Sequence, residues 1–154
     1  LRYGASYNRG LGEDWLLRVG LTGQETEDAR GPYEQIGAGG AASVRGFRER
    51  EIFNDKGYQG NLEIHTPAWA GSMGEAKFQL RGLAFFDFAS LSRNHPLPAE
   101  TVRESISSYG LGLRFSLGTG LSARLDMARV ENPGGVQSRG ATSAHFGVAY
   151  VRAF

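Results

Sequence analysis

Glu63 and His65 stand two residues apart, on one face of any strand that holds them. A carboxylate beside an imidazole could begin a proton-transfer or metal site. Nothing extends the pair. The other histidines, His95 and His145, have no metal-ligand spacing to His65 or to each other, and the chain carries no HExxH, no nucleophile elbow and no GK[ST] phosphate loop. Gly37-Ala38-Gly39-Gly40 superficially resembles a phosphate cradle, but it precedes no helix, so its glycines read as flexibility or close backbone approach. There is no cysteine, hence no disulfide framework and no thiolate metal site. The expectation is a protein that is not an enzyme, with no metal and no cofactor, in which Glu63 and His65 line a wet interior.

A different residue carries more information. In Gly39-Gly40-Ala41-Ala42-Ser43-Val44-Arg45-Gly46-Phe47-Arg48-Glu49-Arg50-Glu51, an arginine lies between glycine-rich turns inside a long connection. Long connections in compact chains are functional or disordered, and this one is rich in specific polar and aromatic groups. A guanidinium presents five donors in a planar fork and is costly to desolvate unpaired, so an Arg45 that enters an interior needs a carboxylate.

The elements around it alternate. In 108–118 the odd positions are Tyr109, Leu111, Leu113, Phe115 and Leu117, against Ser108, Gly110, Gly112, Arg114, Ser116 and Gly118, a period of two. In 121–129, Leu121, Ala123, Leu125 and Met127 oppose Ser122, Arg124 and Asp126. The final segment, 143–154, puts Phe146, Val148, Tyr150 and Phe154 on one face. Upstream, Trp15, Leu17, Val19 and Leu21 oppose Arg18, Gly20 and Thr22, while Tyr58, Leu62 and Ile64 oppose Gln59, Asn61, Glu63 and His65. In 77–89, Phe78, Leu80, Ala84, Phe86 and Phe88 oppose Lys77, Gln79, Arg81 and Asp87, and a first strand near 1–9 carries Tyr3, Ala5 and Tyr7. This makes roughly seven strands, each near the length that a tilted strand needs to cross a bilayer.

Asn8 to Asp14, Pro67 to Glu75 and Leu117 to Gly120 read as short turns; Gln24 to Lys56, Leu91 to Glu104 and Val130 to Gly140 read as long loops. Short turns on one side and long loops on the other describe an outer-membrane barrel. A soluble β-sandwich or lipocalin-like barrel also alternates, but its polar face is dense in Lys, Glu and Thr, whereas here that face is thin, Gly-rich and dotted with arginine. The 154 residues carry a net charge of +1, which suggests neither disorder nor a strong basic field for nucleic acid. No apolar run is long enough for a spanning helix, which leaves spanning strands untouched. The chain starts at Leu1 without a signal peptide and reads as a piece of something longer, whose edge strands at 1–9 and 143–154 must meet further chain.

Val44-Arg45-Gly46-Phe47, preceded by Gly39-Gly40 and followed by Asp55-Lys56-Gly57-Tyr58, resembles the sixth extracellular loop of the POTRA-bearing outer-membrane transporter superfamily. Arg48-Glu49-Arg50-Glu51, Asn61-Leu62-Glu63-Ile64 and Tyr109-Gly110-Leu111-Gly112-Leu113-Arg114 most resemble its two-partner secretion members, the haemolysin secretion/activation proteins. The resemblance covers essentially the whole chain. It implies an all-β fold, the C-terminal seven or so strands of a sixteen-stranded antiparallel transmembrane β-barrel, residues 1–154 forming the C-terminal part of one barrel domain with a lumen-inserting loop at about 25–57.

It also implies that Arg45 meets an aspartate within a Phe-x-Asp-x-Gly pattern; here Phe85-x-Asp87-x-Ala89 stands at that place, with alanine for the glycine. Arg18, Glu63, His65, Arg81, Arg114, Arg124 and Asp126 would line the lumen, keeping it polar without an apolar surface to trap a passenger. Phe154, with Tyr150, Val148 and Phe146 before it, resembles the C-terminal signal read by the barrel-assembly machinery. The implied partners are an unfolded secreted exoprotein, that machinery and the lipid bilayer; the implied place is the outer membrane of a Gram-negative bacterium. A barrel-insertion factor of the same superfamily, a passive porin and a soluble ligand-binding β-domain are the alternatives.

Overall fold

A computed structural model describes residues 1–29 and 31–151. The expected signal residue Phe154 lies outside these. Seven strands form one antiparallel path: β1 (Arg2–Gly12), β2 (Trp15–Gln24), β5 (Lys56–His65), β7 (Ala76–Ser92), β8 (Arg103–Leu117), β9 (Leu121–Asn132) and β10 (Thr142–Tyr150), in the order β1-β2-β5-β7-β8-β9-β10. They run from 9 to 17 residues, enough to cross a bilayer at a tilt. The all-β fold follows from the period-two pattern, and the antiparallel wall agrees with what the family resemblance implies.

Register stacks the alternation into rows. Tyr7, Val19, Leu62, Phe86 and Tyr109 are consecutive cross-strand partners, and all five are exposed on the outward face. One position along, Asn8, Arg18, Glu63, Phe85, Gly110, Ala128 and Ser143 form an inward row. Phe146, Val148 and Tyr150 lie on the outward face and are exposed.

Several expectations need correction. The strand expected near 1–9 runs on to Gly12, so the turn read over 8–14 shrinks to Glu13 and Asp14. The stretch 67–75 is not a turn: β6 (Trp69–Met73) resumes the line of β5 against the same neighbour, β7, and the turn shrinks to Gly74 and Glu75. Pro67 interrupts the ladder because it has no N–H to donate. The break is stitched by Thr66, whose N–H donates to Gly82 O at 2.9 Å and whose Oγ1 accepts from Gly82 N–H at 3.1 Å.

The long connection, now residues 25–55, is not wholly irregular, since β3 (Ile36–Ala38) and β4 (Ile52–Asn54) pair as a small antiparallel sheet. Finally, the inner face is not uniformly polar. Leu83, Phe85, Ala89, Leu91, Ile106, Ala128 and Val130 point inward and are buried, with Ala38, Val44, Phe47 and Ile52 of the connection packed among them. A segment laid back on a wall must offset its ordering entropy, and burying Val, Ile or Phe side chains contributes about 1.5–3 kcal/mol each.

Candidate functional site: the arginine loop on the inner wall

The loop reaches the wall through two tight reversals. Gly40 N–H donates to Val44 O at 3.1 Å, and Arg50 N–H donates to Gly39 O at 3.4 Å, so Val44 to Phe47 project as a tip. Gly46 adopts φ +97°, and a Cβ there would lie 3.2 Å from that of Ala128 and 3.6 Å from that of Ser108. A side chain is disfavoured twice, by the left-handed backbone and by the approach to the wall. Val44 and Phe47 flank the tip as buried anchors.

Between those anchors Arg45 lies against β7. Its Nε donates to Asp87 Oδ2 at 2.7 Å, its Nη2 to Asp87 Oδ1 at 2.7 Å, and its backbone N–H to Asp87 Oδ2 at 3.0 Å. This is fork-to-fork pairing with a main-chain donor added, the strong form of a charged hydrogen bond. The side chains are 6% and 0% exposed. Two further carboxylates approach the same guanidinium: Glu63 Oε1 at 2.9 Å from Nη2 and Asp126 Oδ1 at 3.6 Å from Nη1. Burial alone would lower the Arg45 pKa, but Asp87 above all, with Glu63 and Asp126, outweighs it and raises the value above that of an ordinary arginine.

The floor is aromatic. Arg45 Cζ lies 3.5 Å from the centroid of the Phe85 ring, a cation–π contact in a dry place. Phe85 can lie there because its cross-strand partner is Gly110, where a Cβ would come within 2.6 Å of the ring. The neighbouring Gly112 leaves room for the Asp126 carboxylate.

The charged lining sorts into groups. Glu63 meets His65 Nε2 at 2.8 Å, and Asp126 meets Arg114 Nη1 at 2.8 Å, so Glu63, His65, Asp87, Arg114 and Asp126 form one cluster around Arg45. Arg81 is drawn away to the β1–β2 turn, where it donates to Asp14 Oδ2 at 2.7 Å and to Asp14 O at 3.1 Å. Arg18 and Arg124 are exposed on the inner face, with no ion pair recorded among the described residues.

Sequence reasoning passed over several contributors. Phe85 and His145 are legible in hindsight, because each sits in the same alternating phase as an inward residue, Asp87 and Ser143 respectively. Gly46 N–H donates to His145 Nε2 at 3.0 Å, and Ser143 Oγ donates to Gly46 O at 3.2 Å. No local signal announces Glu51, whose Oε1 accepts from the N–H groups of Val136 at 2.8 Å and Gln137 at 2.7 Å, binding this loop to the β9–β10 connection.

A cluster of this kind has little to offer a bond-breaking reaction: each charge faces another, and Asp87 has no exposed surface. What it can do is hold a loop in place, at a set point on the wall, through interactions that are strong when dry and weaken when water enters. No curated protein and no solved structure matches the chain. The Omp85 superfamily domain matches residues 2–148, nearly its whole length. Proteins of that superfamily are outer-membrane barrels, in keeping with the antiparallel wall and its exposed apolar outer face. The chain therefore belongs to the Omp85 superfamily.

Proposed function

We propose that this chain supplies barrel wall and lumen loop to a two-partner secretion transporter, which passes an unfolded exoprotein across the outer membrane of a Gram-negative bacterium. The observation that carries the reading is the dry pairing of Arg45 with Asp87. A loop tied to the inner wall by one charged fork and a patch of apolar anchors occupies the route and can leave it. Omp85 membership supports transport or assembly at the outer membrane. The motifs around Arg48 to Glu51 and Tyr109 to Arg114 favour secretion over barrel insertion.

The chemistry suits the role. The passenger would displace a cluster whose charges become hydrated as they separate, so the lost pairing is partly replaced by water. No nucleotide is needed, since folding of the passenger outside biases its movement. Barrel-assembly machinery acts only during biogenesis in this scheme, and no cofactor or catalysis is involved.

The full-length protein in planar bilayers tests the loop: deleting residues 37–51 should raise single-channel conductance, whereas a passive porin would show little change. Secretion is tested in cells that also carry a candidate exoprotein, taken from any large exoprotein gene found beside that of the transporter. The exoprotein should reach the medium only when the transporter is present, with other outer-membrane barrels at normal levels. A general loss of those barrels on depletion would mean an insertion factor instead.

A further inference from the structure

Gly46 donates its N–H to Nε2 of His145, a residue 99 positions away on β10, at 3.0 Å. A ring nitrogen accepts only when it carries no proton, so this contact requires a neutral imidazole with its hydrogen on Nδ1. Protonation sets an N–H against an N–H. The opposite strand offers the charged ring a new partner, because Asp126 is the cross-strand neighbour of His145. Asp126 Oδ1 is buried and lies 2.8 Å from Arg114 Nη1, yet it has no aligned hydrogen bond. The charged groups on the elements facing the ring are Arg45 on the loop, next to Gly46, Asp126 and Arg124 on β9, and Arg114 on β8, which pairs with Asp126. Glu63 and His65 on β5 and Asp87 on β7 lie across the Arg45 cluster.

From this geometry we infer that His145 is a proton-operated latch on the loop tip: neutral, it holds Gly46 and so seats Arg45; protonated, it turns to Asp126 and lets the tip go. The turn also draws Asp126 away from Arg45, whose contact with it is the longest of its three ion pairs. Release is partial, because Ser143 still donates to Gly46 O and Asp87 still grips Arg45. Protonation of the ring therefore loosens the loop. This inference rests on the reading that the loop occupies the transport route.

The test uses the full-length protein in planar bilayers at about pH 7.5 and 5.5. Wild type should show about fivefold greater open occupancy at the lower pH, the factor expected for one lost hydrogen bond. His145→Gln keeps an acceptor oxygen but takes up no proton, and should show the same occupancy at both pH values. His65→Gln should retain the response. A pH response in His145→Gln equal to that of wild type overturns the latch and assigns the effect to other groups of the cluster. If deletion of residues 37–51 changes no conductance at either pH, the transport reading falls instead. The latch is then decided by NMR, where the Gly46 amide should titrate together with the His145 ring in wild type; an amide that ignores the ring refutes it.

Discussion

At the scale of the residue, Arg45 answers to three carboxylates. Asp87 contributes most, through one fork of two side-chain hydrogen bonds and a main-chain bond. Removing one partner of a buried pair costs about 3–5 kcal/mol, and since Glu63 and Asp126 remain, Asp87→Asn should fall at the lower end. The check is chemical denaturation of the protein in detergent, alongside a rise in conductance. A charge exchange, Arg45→Asp with Asp87→Arg, is expected to fail as a rescue, because it sets a carboxylate at the tip against Glu63 and Asp126. Secretion restored by the exchange would mean that those two contacts carry no weight. Gly46→Ala should cost about 1–2 kcal/mol through its left-handed backbone alone, with crowding against Ala128 added. Loss of loop protection from protease would report it.

At the scale of the element, the loop is tied to its surroundings by carboxylates that accept main-chain donors. Glu51 accepts from Arg48, Val136 and Gln137, so Glu51→Ala orphans three N–H groups. Faster hydrogen exchange at Val136 and Gln137, with unchanged exchange in β7 and β8, is the expected signature. At the opposite end, Asp14 bridges the Pro67 break by accepting Ala68 N–H at 2.9 Å and the Arg81 guanidinium. The Ala68 bond first, then Arg81, holds the Asp14 carboxyl below its ordinary pKa. A carboxyl lowered in the folded state contributes at pH values above its unfolded pKa of about 4 and loses that contribution as pH falls through the lowered value. NMR titration of the Ala68 amide should follow Asp14, and Asp14→Asn should abolish the transition.

At the scale of the whole molecule, the two faces of the sheet have opposite tasks. Outward, Leu111 is 69% exposed amid Tyr109, Leu113 and Met127, a surface suited to lipid rather than water. Leu111→Arg should cost about 2–4 kcal/mol in folding into bilayers if the position lies near the midplane, as measured by urea titration in vesicles. Inward, the sheet combines an apolar bed for the loop with charged residues. Val44, Phe47 and Ile52 bring the apolar half from the connection, and Leu91, Ile106 and Val130 bring it from the wall.

The sequence by itself determined the strands, their two faces and the inward direction of Asp87, because those depend on a period of two and on neighbours close in the chain. Even so, two turns were misplaced: Asn8 to Gly12 continue β1, and Pro67 reads as punctuation where the strand only skips a bond and resumes. The hairpin of β3 and β4 was illegible, because each strand is three residues long and has no room to alternate. Only the tertiary structure decided that Arg45 meets Glu63 and Asp126 as well as Asp87, that Phe85 lies beneath it, and that His145 accepts from Gly46. Those contacts join positions 18 to 99 residues apart. Register and the close approach of glycine backbones create them, and neither is a property of any local stretch of chain.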